Sequence, residues 1–234
     1  MPLLDHPPPI SFLPALRAGD PLAEYWLRNV TLRLRREVCW LWRERAPTHA
    51  GHSGNGSLPP FSDRLGGALD LSRYAAEKTR FFHEDETAAF LSRVIDEPAP
   101  ASPHRCPPER GSFSWVAREL ELSELDCFVL ALALGPAIDS AASAVYAACL
   151  NDPGRSTPTL ALAQRLWPDP SALLTFAAPT HSLFTHGLLT FAAGWDAPLA
   201  VAPAIASSLC APEELPPALR LFAADDSEIG RAHV

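Results

Sequence analysis

The first residues of this chain that could carry chemistry are a few histidines, because imidazole binds metals and moves protons near neutral pH. His49 and His52 lie close together, and His181 and His186 flank Leu183-Phe184. Structural zinc usually takes four cysteine or histidine ligands in closely spaced pairs, and the sequence holds no such set. The pattern favours surface or loop histidines, and we predict no metal site.

The candidate nucleophiles are equally isolated. Ser53 lies in Gly51-His52-Ser53-Gly54, which differs from the G-x-S-x-G elbow and falls in a linker rather than between a strand and a helix. Cys127 and Cys149 fall on apolar helical patterns, which is typical of small core residues. Asp225-Asp226 lies in an exposed context that does not indicate a paired-carboxylate site. We predict no catalytic residue in this chain.

ATP chemistry would need a phosphate loop, GxxxxGK[ST], whose backbone amides hold the phosphates. Its lysine contacts the phosphates, and its Ser or Thr hydroxyl binds magnesium. The chain has one lysine, Lys78, in Glu77-Lys78-Thr79, and no glycine loop precedes it. We therefore predict no cofactor-binding residue. By itself, this polypeptide is expected to bind neither ATP nor magnesium and to be no enzyme.

Cysteine usage and hydropathy indicate the compartment. The cysteines, an odd number of 5, are scattered at positions 39, 106, 127, 149 and 210 with no CxxC pair. The N-terminus has neither the basic nor the apolar region of a secretory signal. No apolar run reaches the roughly 20 residues that span a bilayer. These features predict reduced thiols, a cytoplasmic location and no membrane partner.

Charge is unevenly distributed along the chain, whose formal net charge is −8. Residues 1–111 have 14 basic and 14 acidic side chains, whereas residues 112–227 have 4 basic and 12 acidic ones, a balance of −8. Binding to a nucleic-acid duplex needs several lysines or arginines that face phosphates. We therefore predict that the acidic half binds no nucleic acid.

Proline divides the chain into segments, since its 25 residues are about twice the usual share. In chain order we predict a disordered N-terminus over 1–21, an amphipathic helix over 22–45, a flexible linker over 46–62, a helical segment over 63–97, a proline-rich linker over 98–112, a winged-helix-like domain over 113–222 and a disordered tail over 223–234.

The helix over 22–45 is predicted from apolar residues at steps of three and four: Leu22, Trp26, Val30, Leu34, Val38 and Leu41. Its arginines lie elsewhere on its surface: Arg28, Arg35, Arg36 and Arg43. The pattern favours a docked amphipathic helix with a solvated basic face. The alternative is a docking surface for an acidic partner, which could be the acidic half of this same chain.

Local signals predict where further helices begin and end. Glu84-Asp85-Glu86 indicates a break within 63–97, because negative charge suits a helix N-terminus. Ser123-Glu124-Leu125-Asp126 is a capping-box pattern before an almost wholly apolar helix, which Gly135-Pro136 is predicted to end. A second helix is predicted over Ser140–Leu150, before the turn signal Asn151-Asp152-Pro153-Gly154.

A third helix and a hairpin are predicted to follow. Thr157-Pro158 is predicted to open the helix with proline at its first position, and Trp167-Pro168 to close it. The apolar runs 188–191 and 199–201 surround Gly194-Trp195-Asp196, which predicts a β-hairpin. The predicted fold class is therefore mainly α: an N-terminal helical region plus a winged-helix-like domain with a small β-hairpin wing.

The third helix takes the place of the recognition helix of DNA-binding winged helices. Such helices present Arg, Lys, Asn or Gln to base edges. Here Leu160–Trp167 offers only Gln164 and Arg165 among apolar residues. Internal packing or contact with a protein is favoured, and a winged-helix DNA-binding transcription regulator is the alternative.

Several runs resemble a winged-helix-like domain that precedes the ATPase module in a group of bacterial AAA-family ATPases: 125–134, 136–139, Tyr146, 150–152 and Pro158-Thr159. The runs 26–37 and 69–74 resemble the helical region of the same proteins. Some members of this group are similar to ATPases encoded with contractile injection particles. The resemblance implies a protein partner or substrate for this region. It also implies that ATP, magnesium and the contacts of a homo-oligomer belong to a motor module that follows.

The last residues, Glu228–Val234, translate a DNA string that resembles a common short-read sequencing adapter. We expect that the reading frame ran from the gene into adapter before the ATP-binding module, and we exclude these residues from the fold. The expected function is a non-catalytic N-terminal protein-interaction or regulatory region of a bacterial AAA-family ATPase.

Overall fold

The structure is a computed structural model, and it describes residues 20–43, 71–99, 110–190 and 193–210. These residues are mainly helical, which confirms the predicted class. The helices are α1 Pro21–Trp42, α2 Leu71–Glu84, α3 Glu86–Ile95, α4 Phe113–Glu119, α5 Glu124–Ile138, α6 Ala142–Leu150, α7 Leu160–Leu166, α8 Ser182–Thr185 and α9 Pro203–Cys210, with a 3₁₀ helix at Pro170–Ala177.

Several predicted segments lie outside the described residues. These are the linker over 46–62, the tail over 223–234, and most of the N-terminal segment over 1–21 and of the linker over 98–112. The start of the helical segment over 63–97 and the end of the domain over 113–222 also lie outside them.

Helix α1 lies at the centre of this arrangement. Its residues Ala23, Trp26 and Val30 belong to one hydrophobic core together with α4 to α9, so the helix shares its core with residues 113–210. A smaller cluster of Leu32, Leu91 and Ile95 joins α1 to α3. The predicted apolar stripe is therefore the face by which α1 docks, and α1 has partners on both sides.

Side-chain caps set several of the helix ends where the sequence indicates them. Asp85 caps α3 by accepting the N–H of Ala88, at the predicted break. Ser123 and Asp126 form the predicted capping box of α5. Asn151 ends α6 in the left-handed region at φ 55°, where asparagine is tolerated better than most residues.

One carboxylate caps two helices at once. Asp20, which is 4% exposed, accepts the backbone N–H groups of Leu22 and Ala23 at the start of α1. Its other oxygen accepts the N–H of Ser114, 2.7 Å away in the first turn of α4. The negative charge therefore meets the positive ends of two helix dipoles and fixes the angle between α1 and α4.

The prediction that Gly135-Pro136 ends α5 is wrong, because the helix continues to Ile138. Proline has no N–H, so Pro136 leaves the carbonyl of Leu132 without its helical donor. The buried hydroxyl of Tyr146 donates to that carbonyl instead, at 3.0 Å. Gly135 makes room for it, since a Cβ there would lie 2.0 Å from the Tyr146 oxygen.

The predicted start of the third helix is also wrong. Thr159, not Thr157, caps α7 through its hydroxyl, which accepts the N–H of Leu162 at 3.1 Å. Pro158 lies before the cap, and its carbonyl accepts the N–H of Leu199 at 2.8 Å. A contact distant in sequence therefore holds Pro158 outside the helix. The helix ends at Leu166, with Trp167 after it as predicted.

The predicted β-hairpin wing is not shown, since the described residues between 188 and 201 form no strand. A hydrogen bond joins the two runs, from the N–H of Thr190 to the carbonyl of Ala200. An isolated antiparallel bridge pairs Thr159 with Pro198. Pro198 cannot donate to a ladder, which is one physical reason why pairing stops there.

We predict that Tyr146→Phe lowers the free energy of unfolding by about 1–3 kcal/mol, because it leaves the buried carbonyl of Leu132 unpaired. In a Pro136→Ala background, the new alanine supplies the missing N–H, so the same change should cost less. Urea unfolding of the four chains of this double-mutant cycle measures the coupling.

The control for this cycle is Tyr25→Phe. The hydroxyl of Tyr25 donates to the carbonyl of Glu97 in an exposed position, so its loss should cost under about 1 kcal/mol. Equal costs of Tyr146→Phe in the two backgrounds would contradict the assignment.

Candidate functional site

The described histidines make structural contacts or lie at the surface. The ring of His181 stacks on Phe176, and its Nε2 lies 3.2 Å from a carboxylate oxygen of Asp126. His186 is exposed, and His49 and His52 lie outside the described residues. Among the residues that the structure describes, no three His, Cys, Asp or Glu side chains are grouped so that they could hold a metal ion.

The thiols predicted to be core residues are buried. Burial raises the pKa of Cys127 to about 12 and that of Cys149 to about 12, so both thiols are protonated at neutral pH. Ser53 and Asp225-Asp226 lie outside the described residues. No helix in the described ranges has the length and apolarity that crossing a bilayer requires.

The single lysine of the chain takes part in a buried ion network. Lys78 in α2 pairs with Glu37 of α1 at 2.5 Å, and Glu37 is 1% exposed. Glu37 also pairs with Arg165 of α7 at 2.9 Å. Arg165 in turn donates to the carbonyl of Cys149 in the last turn of α6. One carboxylate thus links α1 to α2 and α7, and Arg165 extends the link to α6.

Glu37 is the last of three buried polar residues on α1 that recur every four positions. Asn29 donates to the carbonyl of Ile95, the last residue of α3. Arg33 donates to Asn29 and to the carbonyl of Leu166, the last residue of α7. This polar stripe was not predicted from the sequence, although its spacing of four residues is a usable signal for one helix face.

The guanidinium of Arg33 is held mainly by aromatic rings and backbone. It lies 4.8 Å from the centre of the Trp167 ring and 5.4 Å from that of Phe128. Burial lowers the pKa of Arg33 to about 10, so the side chain is still charged at neutral pH. A buried cation at a helix C-terminus meets the negative end of the dipole, which helps to offset its desolvation.

The polar residues of the proposed recognition helix make contacts within the fold. Arg165 is committed to Glu37 and to the carbonyl of Cys149. The amide of Gln164 donates to the carbonyl of Pro170 at 3.2 Å. A role in reading base edges would require both side chains to break these contacts.

Helix α1 also lines a groove, which we call the α1 groove. It consists of two adjoining hollows that share Arg35 and Val145. The first, of about 210 Å³, lies between α1, the end of α5 and the start of α6, and it includes Leu27, Ile138 and Ala142. Most of this surface is aliphatic, and Asp139 supplies a carboxylate at its edge.

The second hollow, of about 710 Å³, lies between α1 and the helices α2 and α3. Val38, Phe81 and Leu91 give it an apolar lining. Trp42, which is 48% exposed, lines it at the end of α1. Burial raises the pKa of the Cys39 thiol, which also lines the hollow, so this thiol is a weak nucleophile.

The lining of the α1 groove is mainly apolar. Trp42 is exposed here, and tryptophan is one of the residue types enriched at the positions that contribute most to binding energy in protein interfaces. Helix α6 lies on one side of the groove and α3 on the other, with α1 between them.

Comparison of the chain with models of protein families, with curated proteins and with solved structures gave no match. The site is therefore interpreted from its own residues.

We predict that Glu37→Ala lowers the free energy of unfolding by about 3–5 kcal/mol, because it leaves Lys78 and Arg165 as partly buried cations without their carboxylate. Glu77→Ala is the matched control, since Glu77 pairs with the more exposed Arg73 and Arg80. Its expected cost is under about 1 kcal/mol. Chemical unfolding measures both, and similar costs for the two changes would contradict a central role for Glu37.

Proposed function

We propose that this chain is a non-catalytic protein-interaction region that works beside the ATP-hydrolysing module of a bacterial AAA-family ATPase. The observation that supports an interaction role best is the α1 groove, an apolar surface on a helix that is otherwise buried. The region would position a substrate or a partner, or regulate the motor. ATP and magnesium would bind in the motor module, outside this chain.

We further propose that residues 113–222 form a winged-helix-like domain. Helices α5, α6 and α7 supply the three helices in the expected order. The buried Leu188, Leu189 and Leu199, with the bond between Thr190 and Ala200, support a wing at the expected place. This assignment rests on the order of elements and on these contacts.

The groove supports a protein partner more than a nucleic acid. Its lining is aliphatic and aromatic, whereas a duplex-binding surface needs several cations along the phosphates. The residues proposed to read bases, Gln164 and Arg165, are engaged within the fold. A salt-dependent affinity of the whole chain for duplex DNA would favour the transcription regulator instead.

We predict that panning a random-peptide display library on the whole chain enriches peptides that bind the wild-type chain and do not bind the Trp42→Ala variant. Truncation of an exposed interface tryptophan costs about 2 kcal/mol or more of binding, about a thirtyfold loss of affinity. Phe90→Ala is the matched control, because Phe90 is an aromatic residue of α3 that is 42% exposed and lies outside both hollows. Binders that both variants retain, or no enrichment at all, would refute the groove as an interaction site.

The ATPase half of the proposal has its own test. We expect the native locus to continue in frame after the codon of Ser227 and to encode GxxxxGK[ST] further on. That motif is required because its amides, lysine and hydroxyl hold the nucleotide phosphates and magnesium. Sequencing the genomic DNA across this position is the measurement. A stop codon after these same residues in the native gene would rule out a motor module in this polypeptide.

A further inference from the structure

We propose that α2 is a hinged flap, which opens away from α1 about Asp85 while α3 and the rest of the described core stay folded. The inference concerns a movement built into the fold, and it does not depend on the proposed interaction function. It follows from the shallow packing of α2, from the polar contact that holds it and from the break between α2 and α3.

Helix α2 is the longer of the two neighbouring helices, but it buries less. Each side chain described on it, from Ser72 to Glu84, is partly or fully exposed. The shorter α3 buries Ala88, Leu91 and Ile95 almost completely. Elements with few buried apolar side chains open at a lower free-energy cost than the core does. We therefore expect α2 to open while α3 stays docked.

The flap lies against a large buried residue of α1. Trp40 is 1% exposed, and its indole N–H donates to the hydroxyl of Tyr74 on α2 at 2.9 Å. The ring of Phe81, also on α2, lies with its centre 5.6 Å from that of Trp40. Phe81 lines the second hollow as well. Opening of the flap therefore exposes one side of Trp40 and moves a wall of that hollow.

The polar contact in the middle of α2 holds the flap only weakly. The ammonium of Lys78 donates to Glu37 and to the carbonyl of Arg165. Burial lowers the pKa of Lys78 in spite of the attraction of Glu37, because the ammonium loses its hydration. When Lys78 leaves, Glu37 keeps its ion pair with Arg165. Opening therefore restores the hydration of one charge and leaves the other with a partner.

The connection between α2 and α3 has the form of a hinge. Asp85 lies between the two helices with an extended backbone, at φ −73° and ψ 126°, so the helices are not continuous. Its carboxylate accepts the N–H of Ala88, a contact in the first turn of α3 that does not involve α2. A change of backbone dihedral angles at a few residues can therefore move the flap and leave α3 capped.

The test uses Lys78 as the reporter, because it is the only lysine of the chain. An amine-acetylating reagent is applied to the whole chain, and a thiol-alkylating reagent reports on Cys149, which is 0% exposed in the core. Peptide mass spectrometry gives both labelling rates at several urea concentrations below the unfolding transition. Each rate is divided by that of the same residue in the unfolded chain, which gives its protection.

We expect Lys78 to be at least about a hundredfold less protected than Cys149. Its protection should also fall less steeply with urea, since opening one helix exposes less surface than unfolding the whole core. Protection of Lys78 equal to that of Cys149, with the same urea dependence, would mean that Lys78 is released only by global unfolding. That result would overturn the flap.

Two variants separate the flap from the core. Phe81→Ala should lower the protection of Lys78 about tenfold, because it removes the aromatic contact with Trp40. Val129→Ala, at a position of α5 that is 0% exposed, should lower the protection of Cys149 and leave that of Lys78 unchanged. The flap opens with the core intact, so a core cavity does not alter its opening. Equal losses at both reporters in Val129→Ala would contradict the proposal.

Amide hydrogen exchange of the whole chain tests the hinge. Helix length alone would protect α2, which has 14 residues, better than α3, which has 10. We expect the reverse, with the amides of α2 at least about tenfold less protected than those of α3. Equal protection of the two helices would show that they open as one unit, and it would rule out a hinge at Asp85.

Discussion

The arrangement of the helices depends on one constraint: the buried polar groups of α1 must all find partners. An unpaired polar group in a protein interior costs several kcal/mol, and an unpaired charge costs more. Asn29 and Arg33 meet this requirement by donating to the last carbonyls of α3 and α7. Glu37 meets it with Lys78 and Arg165. Because these partners lie on different helices, the polar stripe specifies where those helices lie, while apolar contacts alone would allow them to slide.

This constraint also explains why the groove lies where it does. Helix α1 is in contact with other elements over most of its surface, and its polar stripe and apolar core residues face inward. Helices α3 and α6 pack on either side of it, but α6 has small residues where a larger wall would close the gap. Arg35 and Trp42 of α1 therefore remain exposed beside this gap.

Features that depend on residues close in sequence could be predicted, whereas features that depend on contacts distant in sequence could not. The caps at Asp85 and Ser123 were predictable, because each cap involves residues within one helical turn. The passage of α5 through Pro136 was not, because the donor that replaces its missing N–H comes from Tyr146 on another helix. The ion network was equally hidden, since Lys78 gave no sign in sequence that Glu37, far earlier in the chain, would be its partner. The groove depends on several helices at once, so no single stretch of sequence could reveal it.

The charge distribution left open, as an alternative to a solvated basic face, that the basic face of α1 docks on the acidic half of the chain. Helix α1 does pack against that half, but through its apolar residues. The chemistry of the contact is different, however. Arg33 meets backbone carbonyl groups and aromatic rings, and an ion pair between the two halves has its carboxylate on α1 and its cation, Arg165, in the acidic half. Acidic side chains such as Glu119, Glu121 and Glu124 lie exposed at the surface. Among the described residues after 112, much of the negative charge is therefore not neutralised inside the fold.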